Sequence, residues 1–121
     1  MSDADFDSMA YYKEKHPEYY REMKTLYRLL ARINKAKEFE KSGDIAGAIQ
    51  QHELNIRDTP QWASVQRLAI LYRKVGRLDD EVRLLEMARN ALKDINTEYV
   101  LGLISKRLAK ARALLSKEKR P

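Results

Sequence analysis

Apolar residues recur along this chain in steps of three and four, the spacing that keeps one face of an α-helix apolar. A short helix through Tyr11 and Tyr12 is predicted after a frayed stretch over residues 1–8. His16-Pro17 then starts a long one, because proline's missing N–H would be unpaired at the first helical position in any case. Its apolar stripe runs through Tyr20, Met23, Tyr27, Leu30, Ile33, Ala36 and Phe39, and Ser42-Gly43 ends it, glycine being free to take the left-handed conformation past a helix end. Asp44 caps the next helix, with Ile45, Ala48, Ile49, His52 and Ile56 on its inner face. Asp58-Thr59-Pro60 predicts a stop and a restart, with Thr59 as the cap and Pro60 at the first position. That helix carries Trp62, Val65, Leu68, Ala69, Leu71 and Tyr72 and ends at Gly76. A fourth runs from about Asp79 to Asp94 with Val82, Leu85, Ala88 and Leu92 inward, Asp79-Asp80-Glu81 favouring its N-terminal dipole. Asn96 or Thr97 caps the last, which carries the stripe Val100, Ile104, Leu108, Ala111 and Leu115.

Within this pattern two stretches repeat each other. Ala36-x-x-Phe39-x-x-x-Gly43-Asp44-x-x-x-Ala48-Ile49 is followed 33 residues later by Ala69-x-x-Tyr72-x-x-x-Gly76-Arg77-x-x-x-Glu81-Val82. A period of this size marks a protein of stacked helical units. One helix pair cannot bury both its faces, so pairs share a core and the ends need polar or specialised caps. Connections of a few residues predict antiparallel neighbours.

Composition agrees with an all-helical chain. Of 121 residues, 35% are charged, and there are only 4 Gly and 3 Pro. The length suits one domain. There is no Cys, which excludes a disulfide framework, a thiolate metal site and a cysteine nucleophile. No apolar run reaches the roughly 18–20 residues needed to span a bilayer. The polar, acidic start Met1-Ser-Asp-Ala-Asp-Phe-Asp is the opposite of a signal peptide. A soluble cytoplasmic protein is expected. The net charge of +6 is concentrated at one end: residues 103–121 hold seven Lys/Arg (Lys106, Arg107, Lys110, Arg112, Lys117, Lys119, Arg120) and one acid, Glu118, while the rest of the chain balances.

With these residues in place, the chain resembles the tetratricopeptide repeat family. Ala36, Phe39, Gly43, Ala48 and Pro60 match one unit; Leu68, Ala69, Tyr72, Gly76 and Ala88 match a second; Leu101-Gly102 matches the start of a third. The match covers residues 29–118. Glu81 and Asn55 stand where the pattern has small residues, and His52 where it has an aromatic one. The stretch Arg67-Leu-Ala-Ile-Leu-Tyr-Arg-Lys is also similar to one in small bacterial and phage-type proteins, a likeness that implies no activity. The resemblance implies a short right-handed α-solenoid of antiparallel helix pairs with N-terminal and C-terminal capping helices. Its single domain, 1–121, divides into a partly flexible segment (1–16), a first pair (17–58), a second pair (60–94) and a basic capping helix (97–118).

The resemblance further implies that the first helix of each pair lines a concave face. Ile33, Lys37, Glu40 and Lys41 would face it from the first pair, Gln66, Ile70, Arg73 and Lys74 from the second, and Tyr99, Leu103, Lys106 and Arg107 from the last helix. Of these, Ile33, Lys37, Lys41, Gln66, Ile70, Arg73, Lys74, Lys106 and Arg107 are the candidate partner-binding set. Their cations form a column that would attract an acidic peptide. The same cations also read as solvated helix-end charges that complement the dipole. The basic last helix reads either as a phosphate-binding surface or as a polar face that keeps the end of the stack in solution. Tyr11, Tyr12, Tyr19, Tyr20 and Tyr27 crowd the first quarter with Phe6. Tyr20 and Tyr27 fit the buried stripe, while Tyr12 and Tyr19 would leave an aromatic patch through which a homodimer could form.

Catalytic chemistry finds no motif. His16 sits in a turn, His52 lies on a packed face, and the two lack metal-ligand spacing. Gly43, Gly47, Gly76 and Gly102 are isolated, so no phosphate loop is present. The reading is a non-enzymatic protein–protein interaction scaffold without cofactor or metal. It would bind a peptide or protein partner, acidic in character, on its concave face. The alternative is a nucleic-acid-associated accessory protein using the basic C-terminal helix.

Overall fold

The computed structural model describes residues 9–94 and 97–120. The expectations for residues 1–8, including Phe6, and for Asn96 lie outside them. The described residues form an all-α fold of six packed helices: α1 (Ala10–Lys15), α2 (Pro17–Lys41), α3 (Ile45–Asp58), α4 (Trp62–Lys74), α5 (Leu78–Leu92) and α6 (Glu98–Glu118). No strand occurs among them. None of these helices is long and apolar enough to cross a membrane. Each helix packs chiefly on its neighbours in sequence: α1 on α2, α2 on α3, α3 on α4, α4 on α5 and α5 on α6.

The helix boundaries follow from local chemistry. Pro17 occupies the first turn of α2. Gly43 and Gly76 have φ of +83° and +79°, the left-handed region in which a side chain is strained. The chain can therefore reverse after α2 and after α4, and the amides of Asp44 and Arg77 bond back to Phe39 O and Tyr72 O at 2.8 Å. Asp44 caps α3 by accepting from Gly47 N at 2.8 Å, and Thr97 caps α6 by accepting from Val100 N at 3.3 Å. The α3–α4 junction differs from expectation. Thr59 is the extended C-terminal flank of α3, because a residue before proline is pushed out of the helical region. Helix α4 begins at Trp62, and its cap is Gln61, whose Oε1 accepts from Ser64 N at 3.2 Å.

The core runs through all the helices from the second half of α2 onward. Ala36, Ala48, Ala69, Ala88 and Ala111 are fully buried, and their small size lets helix backbones approach closely. Val65, Leu68, Leu71, Leu85, Leu92, Ile104 and Leu108 fill the space between them. Helix α2 departs from its predicted inner face. Leu29 is buried, whereas Leu30, placed inward by periodicity, is 46% exposed. The reason is where α3 ends: Asn55 and Asp58 reach Leu29 and Arg32, so the first half of α2 runs beyond α3. There it leaves Tyr19, Leu26 and Leu30 exposed. Tyr20 is buried, Tyr27 is half-buried, and α1 packs alongside.

Candidate functional site

Three helices, α2, α4 and α6, line two adjoining hollows that share Gln66 and Ile70. The larger, about 600 Å³, is walled by Ile33, Lys37, Glu40 and Lys41 of α2 and by Ala63, Gln66, Arg67 and Ile70 of α4, with His52 of α3 at its base. The smaller, about 300 Å³, lies between Trp62, Gln66, Ile70 and Arg73 of α4 and Leu103, Lys106, Arg107 and Lys110 of α6. Of the nine candidate residues read from the sequence, Ile33, Lys37, Lys41, Gln66 and Ile70 line the first hollow, and Gln66, Ile70, Arg73, Lys106 and Arg107 the second. Lys74 lines neither, and Tyr99 is 74% exposed away from both.

The two hollows share one construction, apolar walls with charged rims. In the first, Arg67 Nε donates to Glu40 Oε2 at 3.0 Å and its Nη2 also engages Glu40 Oε1. The fork-on-carboxylate contact holds the Glu40 carboxyl below its ordinary range. Glu40 is thereby neutralised, and no acid among the described residues pairs with Lys37 or Lys41.

Beneath this rim lies a closed polar cluster. His52, Asn55 and Ser64 are 2%, 0% and 0% exposed. Asn55 Nδ2 donates to Leu29 O at 3.0 Å and to Ser64 Oγ at 3.1 Å, while His52 Nδ1 lies 3.3 Å from the same hydroxyl. Arg32 Nη1 bonds Asp58 Oδ2 at 2.6 Å and reaches Asn55 Oδ1 at 3.4 Å. These contacts join α2, α3 and α4 into one unit. Burial pushes the His52 imidazole below its ordinary pKa, so the neutral ring is favoured. His52 was expected on a packed face and lies there, its aromatic-sized ring half of a hydrogen-bonded pair with Ser64.

The second hollow rests on a buried acid. Glu81 is fully buried in the first turn of α5, although its sequence context suggested only an N-terminal charge facing the helix dipole. Arg73 Nε donates to Glu81 Oε1 at 2.9 Å, and Arg73 Nη2 lies 2.9 Å from Oε2. Arg107 Nε lies 2.9 Å from the same Oε2, in ionic contact but out of line for a hydrogen bond. Arg73 Nη2 also reaches Arg107 O at 3.4 Å. One carboxylate thus ties α4, α5 and α6 together. A solvated helix-end role for Arg73 and Arg107 is therefore incorrect: both are ion-paired to a buried acid, with side chains 28% and 24% exposed. The desolvation lowers the pKa of Arg107 from its ordinary value.

On the outer side, Tyr72 donates to Glu53 Oε2 at 2.6 Å, beneath the Arg77 guanidinium, 4.7 Å from the ring centre. Burial and the adjacent Glu53 carboxylate push the phenol well above its ordinary pKa. Two further basic residues, Arg112 of the C-terminal helix and Lys119 just past its end, are likewise engaged, with Glu86 at 3.1 Å and Asp79 at 3.7 Å.

His52, Trp62, Ala63, Arg67 and Lys110 line the hollows without having been read as groove residues, and Glu81 holds two arginines of the second. Arg67 and Lys110 had a legible signal, since they stand one turn before Lys74's neighbour Ile70 and one turn after Lys106 on faces already assigned to the groove. Glu81 showed only as an interruption of the small-residue pattern, since burial of an acid depends on cations from two other helices. No group of His, Cys, Asp or Glu side chains among the described residues is placed to hold a metal ion. No protein-family model matches the chain, and neither a curated protein nor a solved structure matches it.

Proposed function

We propose that this chain is a non-enzymatic interaction module. Its helices would stack as a short right-handed solenoid of antiparallel pairs, similar to tetratricopeptide repeats, with α2–α3 and α4–α5 as the pairs and the N-terminal and C-terminal helices as caps. Its ligand would be an acidic peptide segment lying across α2, α4 and α6. The observation that carries this reading is the pair of adjoining hollows on alternate helices, apolar at their walls and lined by Lys37, Lys41, Lys106 and Lys110, none of which has an acid partner among the described residues. Nearest-neighbour packing of the helices agrees with a stack. The Ser–His pair of the described core, Ser64 with His52, is buried, with exposures of 0% and 2%.

The test is fluorescence anisotropy with a labelled peptide of alternating Glu and Leu, against its Gln/Leu counterpart. Binding of the first and not the second is expected, with Lys37→Glu combined with Lys41→Glu weakening it about tenfold or more. Equal affinity for both peptides would refute the reading. The nucleic-acid alternative is less favoured, because Arg107, Arg112 and Lys119 are committed to Glu81, Glu86 and Asp79. Salt-sensitive binding of mixed-sequence DNA or RNA that disappears on truncation after Ser105 would reinstate it.

A specific observation also supports self-association, though on a broader surface than the tyrosines alone. Tyr19, Met23, Leu26, Leu30 and Ile33 follow one another in steps of four and three, the seam of a helix that packs on a helix. Tyr19, Leu26 and Leu30 are nearly half exposed, and Tyr12 stacks on Tyr19 at 5.6 Å beside Tyr11. The proposed occupant is the same seam of a second copy. Sedimentation velocity across a hundredfold concentration range would show a dimer lost in Leu26→Glu; a monomer throughout would exclude it.

A further inference from the structure

We infer that Glu81 is a positioning residue, and that the two arginines it holds form one receptor for a carboxylate side chain of the bound peptide. The inference rests on the groove reading and adds to it a defined anion site in the smaller hollow.

The charge at this site does not close. A single buried carboxylate faces two guanidinium groups, so the three side chains carry a net positive charge. Lys106 and Lys110 line the same hollow, and no acid among the described residues pairs with them. A triad present only for packing would need one arginine, because a second, partly desolvated cation repels the first and costs free energy. The two arginines do affect each other in this way: the Arg73 charge is among the causes that lower the Arg107 pKa.

The donors are also unsaturated. Glu81 accepts one hydrogen bond, from Arg73 Nε, while Arg73 Nη2 and Arg107 Nε are in ionic contact with it at angles too poor for a hydrogen bond. An arginine offers five N–H donors in a rigid planar fork. The Nη1 group of Arg73 and both Nη groups of Arg107 have no side-chain acceptor among the described residues. Both side chains line the hollow, with Trp62, Ile70 and Leu103 as apolar neighbours. Glu81 therefore restrains the rotamers of two long side chains before any ligand arrives. A planar carboxylate entering the hollow would meet donors already aimed, in a partly desolvated setting where charge-assisted bonds are strong. The hollow, about 300 Å³, has room for one side chain, which selects a single Asp or Glu flanked by an apolar residue. The larger hollow across α4 has its own cations without acid partners among the described residues, Lys37 and Lys41, so a ligand spanning α2 to α6 would place acids at both ends. Two interhelical spacings of roughly 8–10 Å correspond to about six residues of extended peptide.

The test exploits a reversal of sign. Glu81→Gln removes a negative charge beside a cationic groove, so simple electrostatics expects tighter binding of an acidic probe. Loss of the restraint expects the opposite. With the labelled Glu/Leu hexapeptide, the affinity of Glu81→Gln should fall about fivefold or more, with its fold checked by circular dichroism. Unchanged or tighter binding overturns the inference. Should that variant not fold, Arg107→Lys keeps the charge and loses the fork; about fivefold weakening supports the receptor, and wild-type affinity overturns it. Failure here is distinct from failure of the groove. If Lys37→Glu with Lys41→Glu weakens the peptide while Arg107→Lys does not, the groove stands and the receptor falls. If the hexapeptide does not bind the wild-type chain, sodium acetate is titrated against the ¹⁵N-labelled arginine Nε–H signals. Saturable shifts at Arg73 and Arg107 then support the receptor while the groove fails, and their absence sinks both.

Discussion

Replacing Asn55 by alanine should destabilise this protein more than any surface contact could. Asn55 is fully buried, and its amide makes two hydrogen bonds, to Leu29 O and Ser64 Oγ, with a longer contact from Arg32. A net contribution of about 1 kcal/mol per bond gives about 2 kcal/mol. The cavity left by the carboxamide adds about 1 kcal/mol, for about 3 kcal/mol in all. When Ser64 is replaced, Asn55 Nδ2 keeps its bond to Leu29 O, so Ser64→Ala alone should cost only about 1–2 kcal/mol. The two residues share a bond and should couple by about 1 kcal/mol in a double-mutant cycle. Urea unfolding followed by far-UV circular dichroism and by Trp62 fluorescence would measure each variant. The slope with denaturant should stay constant, so that the shift in midpoint reads stability. A loss below about 1 kcal/mol for Asn55→Ala, or strict additivity of the pair, would refute the idea that this cluster holds α2, α3 and α4 together.

Three further outcomes follow from other features. Because burial lowers the His52 pKa below its ordinary 6.5, the unfolded chain binds the proton more readily; stability should therefore be fully present above about pH 6.5 and fall as pH drops toward the folded-state value, and His52→Phe should flatten that part of a pH-dependent thermal melt. The Glu40 carboxylate, depressed by Arg67, works in the same direction at lower pH: its contribution is present above its ordinary value of 4.5 and is lost below it, so Arg67→Met should reduce the acid sensitivity between about pH 5 and 3. Two glycines should respond oppositely to alanine in thermal melts. Gly102 lies in α6 with open space around it, so Gly102→Ala should stabilise by about 0.5–1 kcal/mol, whereas Gly76→Ala at φ +79° should destabilise by about 1–2 kcal/mol although nothing crowds it.

The division of α2 shows what pattern reading can and cannot supply. Its helical spacing and its two ends were legible, since Pro17, Ser42 and Gly43 act locally. Which face of its first half is covered was not legible, because that depends on where α3 stops. Leu30 and Leu29 are neighbours of equal hydrophobicity, and only the position of Asn55 and Asp58 decides that one is buried and the other exposed. The Thr59–Pro60 junction failed for a related reason. Thr59 is the expected cap by its side chain, but the extended backbone before proline assigned it to the end of α3 and left Gln61 to cap α4.

The buried polar residues were half visible. His52, Asn55 and Glu81 are the positions at which the sequence interrupts its own small-or-aromatic pattern, and with Ser64 they are the buried polar residues of the described core. The interruption could be seen along the chain, but its partners could not. Asn55 needs Leu29 and Ser64 from two other helices, and Glu81 needs arginines from α4 and α6.

By itself, then, the sequence determined that this chain is helical, where most helices begin and end, and which alanines face inward, because those properties arise within a few residues of one another. Eight of the nine candidate residues, assigned from the family resemblance, line one or other hollow. Only the tertiary structure decided that Arg73 and Arg107 converge on one buried acid while Lys37 and Lys41 have none among the described residues. Charge pairing between helices is set by distances across the stack, and no local rule in the chain carries those distances.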